Sequence, residues 1–353
     1  MDLVLPKISR FDFTFIIGIT FLASMMAGVT VFWPLLFIPM LTVHGWLFGY
    51  EHLWSTYTRL LFHRDDRNKF WALVWIVPPI VFLFLMAVGA NWGMKGILLL
   101  YFMGQLYHTV RQSWGITQSY RRKAGGLLWD SEILSELTLW SVPIWGFLHR
   151  CSQRPDEFLF QEFWLPPVPD LIVQAAGVVT MILCFIWVMT RITAFWRGEF
   201  AIAHTLFMLS HFFVFFVGYI LIEELCSGWL LVNVWHNVQY IVYVWVYNRN
   251  RFGSGVDPKA KVLSWLSQRG YGYTILYFLF TIALALPIYY LLPELGGTLD
   301  ELFKTQLIPM SVVLTMSLTF HHYIVDGVIW KRKHNSIDHL SSSDLETETI
   351  PVL

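Results

Sequence analysis

The sequence predicts an all-α, polytopic membrane helix bundle of about ten transmembrane helices, with both termini on the cytoplasmic side. Three observations lead there. The 353 residues are 56% hydrophobic and 14% charged, with a mean hydropathy of +0.55, whereas a soluble domain carries about 25% charged residues. The apolar residues gather in runs near the ~20 that a helix needs to cross a bilayer. The Lys and Arg residues alternate between dense and sparse junctions, as the positive-inside rule demands.

The first run, 12–31, follows Lys7 and Arg10. It is too long for a signal-peptide core and lacks a small-x-small cleavage pattern, so an uncleaved first helix is expected. The second, 34–62, is long enough to protrude beyond the membrane. Runs at 70–91 and 96–119 follow, then 131–149, which Glu132, Glu136 and Pro143 interrupt. Runs at 170–190, 199–222, 228–247, 272–292 and 307–330 complete the set. Several contain proline, which a membrane helix tolerates as a kink.

Counting from an inside start, the cytoplasmic junctions hold Arg64, Arg67 and Lys69; Arg121, Arg122 and Lys123; Arg191 and Arg197; five cations from Arg249 to Arg269; and Lys331, Arg332 and Lys333. The opposite junctions carry Lys95, Arg150, Arg154 and Lys304 beside Glu223, Glu224, Glu294 and Asp300. Residues 1–333 then form the bundle, with a cytoplasmic loop at 248–271 in which 259–268 is expected to make a short interfacial helix. Residues 334–353, rich in Ser, Glu and Thr, are expected to be a disordered cytoplasmic tail. An integral, multi-pass placement in a bacterial cytoplasmic membrane is the expected location.

Composition also excludes. A formal net charge of zero provides no field for nucleic acid. Three cysteines cannot build a disulfide framework or a Cys-based zinc or iron–sulfur site. Cys184 reads as packing, and a Cys151–Cys226 pair on the non-cytoplasmic face is left open. Gly253-Ser254-Gly255 is not followed by Gly-Lys-Ser/Thr, so it is no phosphate loop, and neither a serine-hydrolase elbow nor a zincin motif is present.

Ionisable groups inside membrane spans are costly and mark function. Here they are histidines. Eight of the twelve fall within or near the runs: His44, His52, His108, His204, His211, His236, His321 and His322. Depth separates them. His52 lies 12 residues before Arg64, His108 13 before Arg121, and His236 13 before Arg249. His211 lies 14 after Arg197, and His321 and His322 lie 10 and 9 before Lys331. At a rise of about 1.5 Å per residue these side chains share one layer, roughly 14–21 Å from the basic ends. Imidazoles from five helices at one depth are what a metal centre needs. His44 lies further out and reads as packing, while His63, His149, His334 and His339 read as solvated.

The neighbours add carboxylates and amides. Asp326 lies four residues after His322 on the same helix face, placed to ligate or to orient the imidazole. Glu51 precedes His52. Gln105, Arg111 and Gln112 flank His108 on one stripe, as Asn233, Asn237 and Tyr240 flank His236. Arg111 is suited to hold a polar end of a substrate, and Trp235, Tyr240 and Tyr323 to line a slot for a long apolar one. The expected metal set is therefore His52, His108, His211, His236, His321, His322 and Glu51, with Arg111 and Asp326 as catalytic residues.

At these residues the chain resembles histidine-rich polytopic membrane enzymes that use non-haem iron: the bacterial carotene-cleaving dioxygenases and, more distantly, the membrane fatty-acid hydroxylases and desaturases. The latter use His-x3-4-His and His-x2-3-His-His boxes. Here His321-His322 looks like the tail of such a box, but no histidine stands two or three residues before it. The carotene-dioxygenase group is the closer analogy because its histidines lie within the spans. The resemblance implies one or two non-haem iron ions, O2 as co-substrate, a hydrophobic or lipid substrate amid membrane lipids, and an electron donor.

The leading expectation is thus an iron-dependent oxygenase or hydroxylase for a lipid, isoprenoid or other long apolar molecule. Three rivals stand beside it. One is an acyl or prenyl transferase with His236 as base and Asn233 or Asn237 orienting its substrate. Another is a transporter or proton-coupled channel through the polar layer. The third is a haem protein with paired histidines.

Overall fold

The computed structural model describes residues 7–126, 129, 131–303, 308–331 and 349–351. Helices occupy every one of the ten apolar runs. Helix α1 (Arg10–Phe32) is followed by α2 (Phe37–His44), which continues through a π turn at Gly45–Gly49 into α3 (Tyr50–Leu61). Helix α4 (Val77–Lys123) covers two runs and breaks at Gly93, whose φ of 63° and ψ of −157° suit glycine alone. Then come α5 (Glu132–Gln153), α6 (Asp170–Trp196), α7 (Ile202–Leu221) and α8 (Leu225–Phe252). A short α9 (Lys261–Leu266) lies in the 248–271 loop, before α10 (Tyr271–Phe303) and α11 (Met310–Ile329).

Strands among the described residues are minor. Strand β1 (Lys7–Ser9) pairs antiparallel with β4 (Thr349–Pro351), and β2 (Glu157–Phe158) pairs with β3 (Gln161–Glu162). Residues 349–351 are the described part of the tail; 334–348, with His334 and His339, and 352–353 lie outside the described residues.

Six helices, α1, α4, α6, α7, α10 and α11, are long and apolar enough to cross a membrane. The outer surface agrees: Leu35 is 94% exposed, and Phe21, Phe32, Leu83 and Leu171 also stand out from the bundle. Lipid, not water, is the natural solvent for such a surface. Helix α8 is less apolar for a clear reason. It is buried along most of its length and carries Asn233, His236, Asn237 and Gln239 at its middle. It forms the axis of the bundle, with α1, α3 and the end of α7 packed on it, while α4, α10 and α11 close round the α3 side and α5, α6 and α7 form the other flank.

One crossing is set by glycine. A Cβ added to Gly228 would lie 1.9 Å from the Gly218 carbonyl oxygen, so α7 and α8 meet backbone to backbone. The end of α7 unwinds into a π turn at Val217–Leu221, leaving carbonyls without helical partners. The fully buried Arg150 satisfies them, donating to the oxygens of Gly218, Ile222 and Glu223 at 2.8, 2.5 and 2.7 Å.

Helices α3, α4, α8 and α11 finish at one end of the bundle. There the Arg59 guanidinium sits 4.0 Å from the Tyr247 ring centre and 4.6 Å from that of Trp330, and the Ser119 and Tyr243 hydroxyls lie 3.3 Å apart. The 248–271 loop is tied to the same end, with Arg64 N–H on the Lys259 carbonyl at 3.0 Å, Lys259 on Asp65 at 2.6 Å and Arg251 on Asp66. His63 departs from its expected solvation. It is buried, accepts the Asp66 N–H at 3.3 Å, and sets its other ring nitrogen 3.4 Å from Asp257. A helix end pinned beneath a loop is no longer open to solvent. His149 likewise turns inward, to the Tyr219 carbonyl at 3.0 Å. Cys151, Cys184 and Cys226 are free thiols.

Candidate metal centre

Each helix that builds the centre hides a polar stripe. On α3, His52, Ser55, Thr56 and Arg59 recur at the 3-to-4 spacing of one face and are all buried. On α11 the polar pair on the buried face is His322 and Asp326, with the apolar Val325 and Ile329 beside them. On α4 the buried stripe is Gln105, His108 and Thr109. On α8 it is Asn233, His236, Asn237 and Tyr240. A membrane helix that turns polar residues inward must satisfy them against its neighbours, and the four stripes face one another.

Where they meet, imidazoles converge. His52 Nε2 lies 2.7 Å from His322 Nε2, which lies 3.0 Å from His108 Nε2. Ligand nitrogens of the three approach within 4.8 Å of one another. Metal–nitrogen bonds of about 2.0–2.2 Å place neighbouring ligand atoms about 3 Å apart, so this spacing suits a shared cation. His236 completes a ring of four, its centroid 4.7 Å from that of His52 and 5.0 Å from that of His108. Its Nδ1 is buried without a hydrogen-bond partner among the described residues. Asp326 stands at the edge, Oδ2 being 3.9 Å from His108 Nε2 and 3.8 Å from His322 Nε2.

The surroundings fix the protonation of one imidazole. Thr56 Oγ1 donates to Asp326 Oδ1 at 2.9 Å, and the Tyr240 hydroxyl donates to the same oxygen at 2.6 Å. With its proton spent on the carboxylate, the Thr56 oxygen accepts from His322 Nδ1 at 2.8 Å. That places the ring proton on Nδ1 and leaves the Nε2 lone pair facing His52 and His108, the tautomer that metal ligation requires. Trp330 Nε1 donates to Tyr240 at 3.2 Å and extends the chain outward. The donor set, three convergent imidazoles, a fourth ring and a carboxylate, fits a non-haem metal ion.

Other residues expected at the site are elsewhere. His321 shares the depth of His322 but points away, with Nδ1 2.8 Å from the Tyr57 hydroxyl and Nε2 2.6 Å from the Leu73 carbonyl. His211 is buried between α7 and α5, 3.0 Å from the Leu139 carbonyl. Glu51 faces α10, where Thr281 donates to it at 2.6 Å. Arg111 alone of these stays near His108, on the wall of the same cavity, but it is half exposed and lies 3.8 Å from Glu136. Consecutive residues on a helix point about 100° apart, so Glu51 and His321 cannot face the same way as His52 and His322.

The amides serve the frame. Gln105 accepts from the Trp229 indole at 2.9 Å, and Asn233 donates to the Trp229 carbonyl at 2.9 Å. Gln112 donates to the His236 carbonyl at 3.1 Å, and Asn237 lies 3.0 Å from the buried His44. Thr56 was the residue overlooked by sequence reasoning. The signal was available: it stands four residues after His52, the spacing that draws attention to Asp326 after His322.

Two cavities flank the imidazoles. One of about 690 Å³ reaches His108, Tyr240 and Asp326 from the α4–α11 side. The other, about 380 Å³, reaches His52, His236 and His322 past His44 and Asn237. Tyr323, stacked on His108 with centroids 4.4 Å apart, borders both. No protein-family model, curated protein or solved structure matches this chain.

Proposed function

We propose that this protein is a membrane-embedded, non-haem iron oxygenase or hydroxylase acting on a lipid, isoprenoid or other long apolar molecule. In this reading it spans the bilayer about ten times with both termini cytoplasmic. The observation that carries the proposal is the convergence of His52, His108 and His322 through Nε2, with His236 and Asp326 beside them.

His52, His108 and His322 would hold the ion, with His236 or Asp326 available as a further ligand. Iron bound there would supply activation of O2 for attack on an otherwise inert carbon. The protein's own part is positioning and exclusion. Thr56 holds His322 in its ligating tautomer. Tyr240 and Thr56 keep Asp326 turned toward the ring cluster. The apolar helices keep bulk water from a reactive centre. A hydroxylation draws two electrons from an external donor, whereas a cleavage that places both oxygen atoms in products needs none, so the donor is part of the proposal only for the first chemistry. The junctions that bear Arg122, Lys331, Arg64 and Lys259, gathered at one end of the bundle, support a cytoplasmic placement of that end.

Metal analysis of detergent-purified protein tests the reading. Stoichiometric iron is expected, lost on His108→Ala and on His52→Ala and retained on His211→Ala. Folded protein without metal would overturn it. Activity that depends on His236 alone would point instead to the single-base transferase.

A further inference from the structure

The larger cavity has chemically distinct ends. At its inner end stand His108 and Asp326, and at its outer end Arg122 and Lys331, which close α4 and follow α11. Between them the wall is mostly aromatic and aliphatic, including Trp114, Tyr243 and Phe320, with Gly115 leaving room along α4. From His108 to Arg122 the helix rises about 21 Å, and from His322 to Lys331 about 14 Å. That span matches an extended acyl or isoprenoid chain. Tyr107 and Ile324, 60% and 42% exposed, line the cavity where it reaches the outer face of the bundle, an opening through which a chain can enter from lipid.

We infer that the cavity binds an amphiphile whose head is an oxyanion, a carboxylate or a phosphate. The head is held at Arg122 and Lys331 and the chain runs inward along α4 to the histidines. The inference rests on the proposed enzyme for its consequence, namely that the carbon presented to the centre lies far along the chain from the head. The binding itself does not need the metal.

Arg111 also borders this cavity, but it stands one turn from His108 and beside Glu136, 3.8 Å away. It is too close to the centre to hold the head of a long chain stretched across the cavity. Arg122 donates from Nη2 to Ser119 Oγ at 3.1 Å, which anchors one corner of its guanidinium while leaving further N–H groups for a ligand. Guanidinium pairs oxyanions through two parallel hydrogen bonds, and a neighbouring ammonium adds a point charge.

The test is binding of hexadecyl phosphate, palmitate and hexadecanol to the purified full chain, read by tryptophan quenching with spin-labelled analogues, since Trp114 and Trp330 line the cavity. The two anions should bind about tenfold more tightly than the alcohol. Arg122→Gln should bring all three to similar affinity, with hexadecanol binding and metal content unchanged, and Arg111→Gln should preserve the preference. Equal affinity for anion and alcohol in the unaltered protein overturns the inference, as does a preference abolished by Arg111→Gln but not by Arg122→Gln. Nanodiscs of phosphatidylglycerol against phosphatidylcholine separate the two sources of the head group. Competition by the anionic lipid alone assigns the site to a membrane phospholipid, and absence of competition assigns it to a single-chain amphiphile. Metal-free protein that keeps the preference leaves this inference standing and removes the enzyme. Iron-loaded protein without the preference does the reverse.

Discussion

Replacing Thr56 by valine probes the centre without touching a ligand. The substitution keeps the side chain's shape and removes one hydroxyl, which contacts His322 Nδ1 at 2.8 Å, Asp326 Oδ1 at 2.9 Å and the Tyr240 hydroxyl at 2.6 Å. His322 then loses the acceptor that holds its proton on Nδ1, and Asp326 loses one of two donors. Partners of this kind are worth about 10–100-fold in metal affinity, equivalent to about 1.4–2.7 kcal/mol. Because the groups left behind are buried, the metal-free protein should also lose about 1–3 kcal/mol of stability. Competition against a chelator of known affinity reads the first quantity, and thermal unfolding in detergent reads the second. Thr58→Val is the matched control. Its hydroxyl is equally buried on the same helix but donates to the Ser55 carbonyl at 2.7 Å, away from the histidines, so metal affinity should not change. A folded Thr56→Val protein whose affinity stays within twofold of the parent would refute the tautomer argument.

Two further outcomes follow from the frame. Gly228→Ala drives a methyl into the Gly218 carbonyl and should cost about 1–3 kcal/mol or more, seen as a lowered unfolding temperature, whereas Gly297→Ala, with nothing within 4 Å, should not. At the loop, a hydrogen bond from Lys259 holds the Asp65 carboxyl below its ordinary range. A depressed acid contributes fully above its ordinary value and is lost as pH falls through the lowered one. Protection of the Asp257, Lys259 and Ala260 amides, taken as exchange relative to its intrinsic rate at each pH, should therefore fall on acidification, and Asp65→Asn should show the lowered protection already at neutral pH. A flat profile would remove the clamp.

Depth was legible in the sequence and rotation was not. Counting back from Arg64, Arg121, Arg249 and Lys331 placed His52, His108, His236 and His322 at one level, and those four rings converge. The same count admitted His211 and His321, which sit at that level but face Leu139 and Leu73. A residue's height is fixed by helical rise, a local quantity. The direction it faces depends on which helices pack beside it, and no local pattern encodes that. α7 lies against α5, so His211 meets a carbonyl there and not the other imidazoles. The helical runs themselves were readable because lipid demands them. The break at Gly93 and the π turns at Gly45–Gly49 and Val217–Leu221 were not, and the last of these lies where Gly218 meets the backbone of α8 at Gly228, a contact between helices that no local pattern announces.

His322 follows His52 by 270 residues in the chain. During synthesis the early helices must therefore enter the bilayer with His52 and His108 still lacking their third companion, and three-way capture becomes feasible only once α11 has been made. Loading of the proposed centre would thus be a late event in biogenesis, and truncation before α11 would yield a protein that inserts yet stays empty.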